Sequence, residues 1–199
     1  MRIIGLTGGI GSGKSTAAKF LAELGAAILD LDRVGHEVIK KGRPAYGKLV
    51  GEFGEGILKA DGSIDRARLG SLVFRDREAL QRLNRIVHPA IDEMVKERVE
   101  GLRRRGVKVV VLEAAAMLEA GRAFQMDEIW VTTAPEAAVL DRLKERSGYG
   151  EAETRARIDA QMPDEERLRQ ADVIINTDGT LEEVRARVGE EWRKLLERL

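Results

Sequence analysis

The sequence predicts a three-layer α/β fold, a five-stranded parallel sheet between helices, carrying a helical insertion. Three observations point there. Apolar runs at Arg2 to Thr7, Ala26 to Leu31, Val107 to Leu112, Ile129 to Thr133 and Val173 to Ile175 read as strands, and Val107 to Leu112 is a continuous β-branched run suited to burial on both faces. The first two runs are joined by one helix-like stretch, a β-α-β unit that implies parallel pairing with a right-handed crossover. Between the second and third runs, from Arg33 to Arg105, apolar residues recur mostly at helical spacing.

The first strand runs into Gly5-Leu6-Thr7-Gly8-Gly9-Ile10-Gly11-Ser12-Gly13-Lys14-Ser15-Thr16. Within it, Gly8-x-x-x-x-Gly13-Lys14-Ser15 matches the phosphate-binding loop, set between strand and helix as that pattern requires. Glycines let consecutive backbone N–H groups turn inward around a phosphate, because no Cβ blocks left-handed conformations or close approach. The helix Lys14 to Leu24, closed by Gly25, adds its positive N-terminal end. Lys14 can reach the β- and γ-phosphates of a nucleoside triphosphate, and the Ser15 hydroxyl can ligate Mg²⁺. Gly8, Gly9, Gly11, Ser12, Gly13, Lys14, Ser15 and Thr16 are therefore the candidate phosphate contacts, and Ser15 the candidate metal ligand. At the end of the second strand Asp30 and Asp32 stand two apart, so a period of two points both carboxylates the same way. Strand carboxyl ends are where open α/β sheets bind ligands, so these acids should face the phosphate loop.

In the insertion, Arg33 to Lys40 and Ala45 to Phe53 read as short helices separated by Lys41-Gly42-Arg43-Pro44. Gly54 to Ser63, with Asp61-Gly62, reads as a loop or small hairpin turn. Asp65 to Phe74 and Arg77 to Val87 are again helical, and Pro89 should force a kink or a new helix start before Ile91 to Leu102. Arg103-Arg104-Arg105-Gly106 is an ordinary basic helix terminus rather than a nucleic-acid patch. Beyond the third strand, ended by Glu113, come the fourth strand and a helix from Glu136 to Arg146. A very charged helical stretch from Ala152 to Arg169, broken near Pro163, leads to the last strand, ending at Asn176, and to a closing amphipathic helix from Leu181 to Leu196.

Composition narrows the function classes. The 199 residues suit one domain with an insertion, and 34 basic residues balance 34 acidic ones, so no global field favours nucleic acid or an anionic membrane. Cys is absent, which excludes disulfides and thiol chemistry and fits a reducing compartment. With no basic-then-apolar leader and no apolar run of membrane-spanning length, a cytoplasmic protein is expected. A GTPase would need a guanine-reading Asn-Lys-x-Asp, which Asn176-Thr177-Asp178-Gly179 does not supply, and a large mechanical ATPase would need more chain. A small nucleotide or metabolite kinase fits, with a helical insertion for the acceptor and an Arg-bearing lid. A slow nucleotide-dependent switch is the alternative from another class.

The sequence resembles the dephospho-coenzyme A kinases across almost its whole length. The resemblance rests on Leu6 through Ser15, on Asp30-Leu31-Asp32, on Asp61-Gly62-Ser63-Ile64-Asp65-Arg66 with Leu69 and Phe74, on His88-Pro89, and on Ala171-Asp172-Val173-Ile174-Ile175-Asn176. It implies a P-loop kinase fold and transfer of a phosphoryl group from ATP, with Mg²⁺, to the 3′-hydroxyl of dephospho-CoA, the last step of coenzyme A synthesis. It implies a nucleotide-binding core of residues 1–32 and 106–199 with a lid near 147–170, and a dephospho-CoA-binding insertion of residues 33–105. Oligomeric state is left open. Where the family has a Pro-Leu-Leu-Phe-Glu-like run, this chain has Ala115-Ala116-Met117-Leu118-Glu119; Met and Leu fill a similar volume, but Ala for Pro removes a fixed φ.

By the same resemblance Asp32 accepts the hydroxyl proton, although it would also N-cap a helix beginning at Arg33. Asp30 orients Asp32 or the metal, or simply ends its strand; Glu113 holds a metal-bound water or, equally simply, ends a buried strand. Arg66 and His88 shape the acceptor site, and Arg157 with Gln161 matches the lid pattern. Arg142 and Arg146, four apart on one helical face, can both meet the triphosphate, with Arg142 the better candidate for stabilising the transferring group and Arg146 also suited to complement the helix end. Arg155, Arg167 and Arg169 read as solvated lid charges. Asn176 and Gly179 are placed to contact adenine, where a polar strand-to-helix turn would look the same.

Overall fold

A computed structural model describes residues 1–118, 125–147 and 150–199. In chain order the elements are β1 (Arg2–Gly8), α1 (Lys14–Glu23), β2 (Ala27–Asp30), α2 (Leu31–Val38), α3 (Pro44–Phe53), α4 (Arg66–Val73), α5 (Arg77–Arg104), β3 (Val109–Glu113), β4 (Glu128–Thr133), α6 (Glu136–Ser147), α7 (Glu151–Asp159), α8 (Asp164–Arg169), β5 (Val173–Asn176) and α9 (Leu181–Leu196). The chain divides into two compact units, one of Met1–Asp30 with Leu102–Leu199 and one of Leu31–Gly101. Glu119, from the Ala115 run, and Gly148 and Tyr149, inside the expected lid, lie outside the described residues.

In the first unit the five strands are all parallel in the order β2-β3-β1-β4-β5. This is the doubly wound P-loop kinase topology, with β1 central so that the loop following it opens at the middle of the sheet's carboxyl edge. Alternation along the strands sends Ile4, Leu6, Val109, Val111, Trp130 and Ile175 to one face, where they pack with Ala17, Phe20 and Leu21 of α1 and Val184, Val188, Trp192 and Leu195 of α9. Buried apolar side chains of this size each contribute about 1.5–3 kcal/mol, which anchors α1, and hence the loop that feeds it, to the sheet. The turn that starts α9 is closed by a capping box: Glu183 N–H donates to Thr180 Oγ1 at 3.2 Å, and Thr180 N–H donates to Glu183 Oε2 at 2.8 Å.

The second unit is helical around its own core of Leu49, Ile57, Ile64, Leu69, Val73 and Ala79. The Gly54 to Ser63 stretch opens with a 3-10 turn at Glu55–Ile57 and closes as a small antiparallel hairpin. Its Leu58 pairs with Ile64, Lys59 N–H donates to Ser63 O at 2.8 Å, and Gly62 takes φ 75° at the tip. Asp65 then caps α4, accepting from Ala67 N–H at 3.0 Å and Arg68 N–H at 3.1 Å.

Two expectations change. Pro89 does not restart a helix: α5 runs continuously for 28 residues through it. The missing Pro N–H removes one backbone bond, but Ile91, Val95 and Val99, four apart on one stripe, are all buried, and that burial outweighs the local cost. The helix expected from Arg33 begins instead at Leu31, directly after β2, so Asp32 is an exposed acid in its first turn rather than a cap preceding it.

Candidate active site

The loop after β1 makes the site because its backbone is held where a Cβ would not fit. Gly13 caps α1 with φ 79°, and a Cβ there would sit 2.8 Å from Thr177 Oγ1 and 2.9 Å from Thr177 Cβ. At Gly8 a Cβ would collide with the Thr132 hydroxyl. That hydroxyl and Ser12 Oγ share a 2.7 Å hydrogen bond, tying the loop to the end of β4.

Residues 8–16, together with Ala115, Arg142, Leu143, Arg146 and Gln161, line a cleft of about 450 Å³. Opposite the loop stands the end of β3, whose Glu113 is in register with Leu6 of β1 and Asp30 of β2. Lys14 Nζ donates to Glu113 Oε1 at 2.7 Å, and Ser15 Oγ donates to the same oxygen at 3.4 Å. Both charged side chains are largely buried, 16% and 12% exposed, so the pair sits where charges are poorly screened. Lysine, hydroxyl and carboxylate thus converge beside backbone N–H groups at a helix N-terminus, an arrangement suited to a polyphosphate with a hard cation. Thr7 Oγ1 donates to Ala115 O at 3.2 Å and Met117 is buried, so the run that departs from the family pattern is fixed at its start.

Arg142, the candidate for stabilising the transferring group, lies in the cleft wall and is also held by the protein. Its Nη1 donates to Gly11 O at 3.1 Å and Thr177 Oγ1 at 3.0 Å, and its Nη2 to Thr177 O at 2.7 Å. The guanidinium thus bridges the loop and the turn after β5. Arg146, one helical turn further, is exposed in the cleft wall. Gln161, expected at the acceptor, accepts the Ile10 N–H at 2.8 Å, so the segment after α7 is tied to the phosphate loop.

The remaining candidates are not gathered in this wall. Asn176 ends β5 and Gly179 lies on the turn that follows, where Asn176 Oδ1 accepts from Asp178 N–H at 2.8 Å and Gly179 takes φ 97°. Arg157, on α7, pairs with Glu153 at 2.9 Å, and Arg155 with Glu136 at 2.8 Å. Arg169 pairs with Glu165 at 3.9 Å on α8. Arg167 is not a solvated charge: it is 1% exposed, bonds Asp164 and Met162 O, and lines a second cavity of about 380 Å³ with Gln161, Ile158 and Met162. Arg66 opens α4 and His88 is half-buried on α5, both in the helical unit with Asp32. Thr132 and Thr177 are the site residues that sequence reasoning passed over. Each is a single polar residue at a strand end, a position with no local signature.

The comparisons with known proteins agree with this architecture. The family model described as CoaE, dephospho-CoA kinase, matches residues 2–183. The dephospho-CoA kinase of Geobacter sulfurreducens is 44% identical over 194 residues, covering 98% of both chains. Among solved structures, TT1252 from Thermus thermophilus superposes with a TM-score of 0.81 at 32% identity, covering 100% of this chain and 97% of that one. The dephospho-CoA kinase from Campylobacter jejuni superposes with a TM-score of 0.73 at 26% identity and 98% coverage of each. With a family match over nearly its whole length and a phosphate loop built as that family's chemistry needs, the chain belongs to the dephospho-CoA kinase family.

Proposed function

We propose that the chain transfers the γ-phosphoryl group of ATP to the 3′-hydroxyl of dephospho-CoA, giving coenzyme A and ADP, with the phosphates in the loop cleft and the acceptor held by the helical unit. Family membership carries the reaction and makes ATP the donor. The observation that supports the donor half is the convergence of Lys14, Ser15 and Glu113 at the loop.

In this reading Lys14 exchanges its Glu113 partner for β- and γ-phosphate oxygens. Ser15 and Glu113 are hard oxygen donors, and Mg²⁺ takes one or two protein oxygens beside phosphates and water, so these residues suit it. Bound there, Mg²⁺ supplies charge neutralisation between the phosphates. Backbone N–H groups of the loop hold the triphosphate, and Arg146 reaches it from α6. Arg142 lines the same wall while holding Gly11 O, and is proposed to stabilise the transferring group. Asn176 and Gly179 shape the turn proposed to meet adenine, while Arg66, His88 and Arg157 are proposed to meet the acceptor. Asp32, in the first turn of α2, positions the acceptor hydroxyl and takes its proton as the new P–O bond forms and the bond to ADP breaks. No helix among the described residues is long and apolar enough to cross a membrane. A chain without Cys suits the reducing cytoplasm, where we place it.

The test is formation of coenzyme A by purified protein from ATP, Mg²⁺ and dephospho-CoA, against a panel of nucleosides that yields no product. Asp32→Asn is expected to lower kcat about a hundredfold or more, with KM for ATP within about twofold. Unchanged turnover would reduce Asp32 to an acid that favours the start of its helix.

A further inference from the structure

The direction of a backbone N–H is set by the carbonyl that precedes it, because a planar trans peptide points the two opposite ways. Any group that fixes the Ser12 carbonyl therefore aims the Gly13 N–H. Thr177 does this: its Oγ1 donates to Ser12 O at 2.8 Å, the shorter of two acceptor contacts, with Thr133 O at 3.2 Å already served by the Thr177 N–H. The hydroxyl's own acceptor side is taken by Arg142 Nη1 at 3.0 Å, whose second hydrogen goes to Gly11 O at 3.1 Å. Arg142 Nη2 meets Thr177 O at 2.7 Å, and Thr177 N–H donates to Thr133 O at 2.8 Å. Two successive loop carbonyls are thereby held by one hydroxyl and one guanidinium, themselves fixed to the ends of β4 and β5.

Thr177 lies behind the loop, and Arg142, which lines the cleft, reaches it there. Thr177 is 2% exposed and is not part of the cleft wall, which includes Ser12, Gly13 and Lys14. The close approach at Gly13, where a Cβ would fall 2.8 Å from Thr177 Oγ1, shows independently that the loop rests directly on this residue. With the Ser12 carbonyl turned to Thr177, the Gly13 N–H turns to the cleft. We propose that Thr177, braced by Arg142, is a positioning residue that orients the Gly13 N–H toward the nucleotide phosphate. Without the hydroxyl, the Ser12 peptide is free to turn, and part of the binding energy goes into restoring its direction. The proposal rests on the reading of the cleft as a nucleotide site and not on the identity of the acceptor.

The test is ADP affinity measured by calorimetry with no acceptor present, on Thr177→Val, which keeps the shape and loses the donor, and on Thr177→Ser, which keeps the donor. Thr177→Val is expected to weaken ADP about tenfold, the effect of one buried hydrogen bond, with KM for dephospho-CoA within about twofold. Thr177→Ser should recover ADP affinity to within about twofold of the original chain. An ADP affinity that Thr177→Val leaves unchanged, whether or not its melting temperature falls, overturns the proposal and makes the hydroxyl structural only. If Thr177→Val does not fold, Thr177→Ala, which also removes the donor and lies outside the cleft wall, decides it: a comparable loss supports the brace and an unchanged affinity overturns it. A chain that binds ADP but leaves dephospho-CoA untouched would overturn the acceptor assignment and leave this test intact.

Discussion

Glu113 occupies the junction between the two parts of the phosphate chemistry, because one carboxylate oxygen accepts from both Lys14 and Ser15. Removing its charge separates two roles. If Glu113 helps hold Mg²⁺, Glu113→Gln raises the Mg²⁺ concentration needed for half-maximal rate, by about tenfold for a charge-assisted contact. If it only parks Lys14, the Mg²⁺ titration is unchanged and the variant differs in ATP affinity alone. A Mg²⁺ titration at fixed ATP reads this directly. The loop residues Gly8, Gly13, Lys14 and Ser15 are legible in sequence because their chemistry is local: glycine freedom, a cation and a hydroxyl within one turn of chain. Gln161 bonding to Ile10 and Thr177 bonding to Ser12 span 151 and 165 residues. Hydrogen bonds of that range leave no periodic trace, so the brace behind the loop emerges only from the fold.

At the scale of elements, the strands were legible because a sheet buried on both faces demands apolar runs, and β3 shows it most plainly with Val109, Val110, Val111 and Leu112 all buried. The path of α5 was not, because the local rule against internal proline competes with burial that depends on distant partners. Within the helical unit, α2 is tied to α5 by Glu37, which accepts from Arg98 at 2.6 Å and from Arg43 at 2.8 Å. The hydrogen bond from Arg98, aided by the positive charge of Arg98 and Arg43 and opposed by desolvation, holds the Glu37 carboxyl below its ordinary value. A carboxylate with a lowered folded-state pKa contributes stability above its unfolded value, and that contribution is lost as pH falls through the folded value. Glu37→Gln should therefore lower the melting temperature at pH 7, by the modest amount expected of a half-exposed pair. The gap between variant and parent should narrow as pH falls below the ordinary glutamate value and close only below the lowered folded value, where the carboxyl is protonated in both states. Melting curves recorded from pH 7 to pH 3 check this, and a gap that persists in acid would assign the effect to packing instead of charge.

For the whole molecule, the relevant feature is that the sheet cluster built on Ile4, Leu6 and Trp130 and the helical cluster built on Leu49 and Ile57 have no member in common. Each unit thus owns apolar contacts that the other does not supply, and the brace of Thr177 and Arg142 belongs wholly to the first. Under the proposed function a kinase that holds two substrates gains from this division, with the phosphate loop kept in shape on the sheet and the proposed acceptor residues carried by a unit that has its own core. Leu49 tests the division, since it is fully buried in the helical cluster and far in sequence from every loop residue. Leu49→Ala leaves a cavity that costs about 2–4 kcal/mol, enough to lower the melting temperature by several degrees in a chain of this size. If the cores are energetically separate, the variant binds ADP within about twofold of the parent at 25 °C, while KM for dephospho-CoA rises. Calorimetric ADP titration beside steady-state kinetics makes the comparison. A variant that loses ADP affinity fivefold or more would show instead that packing in the helical unit reaches the phosphate loop.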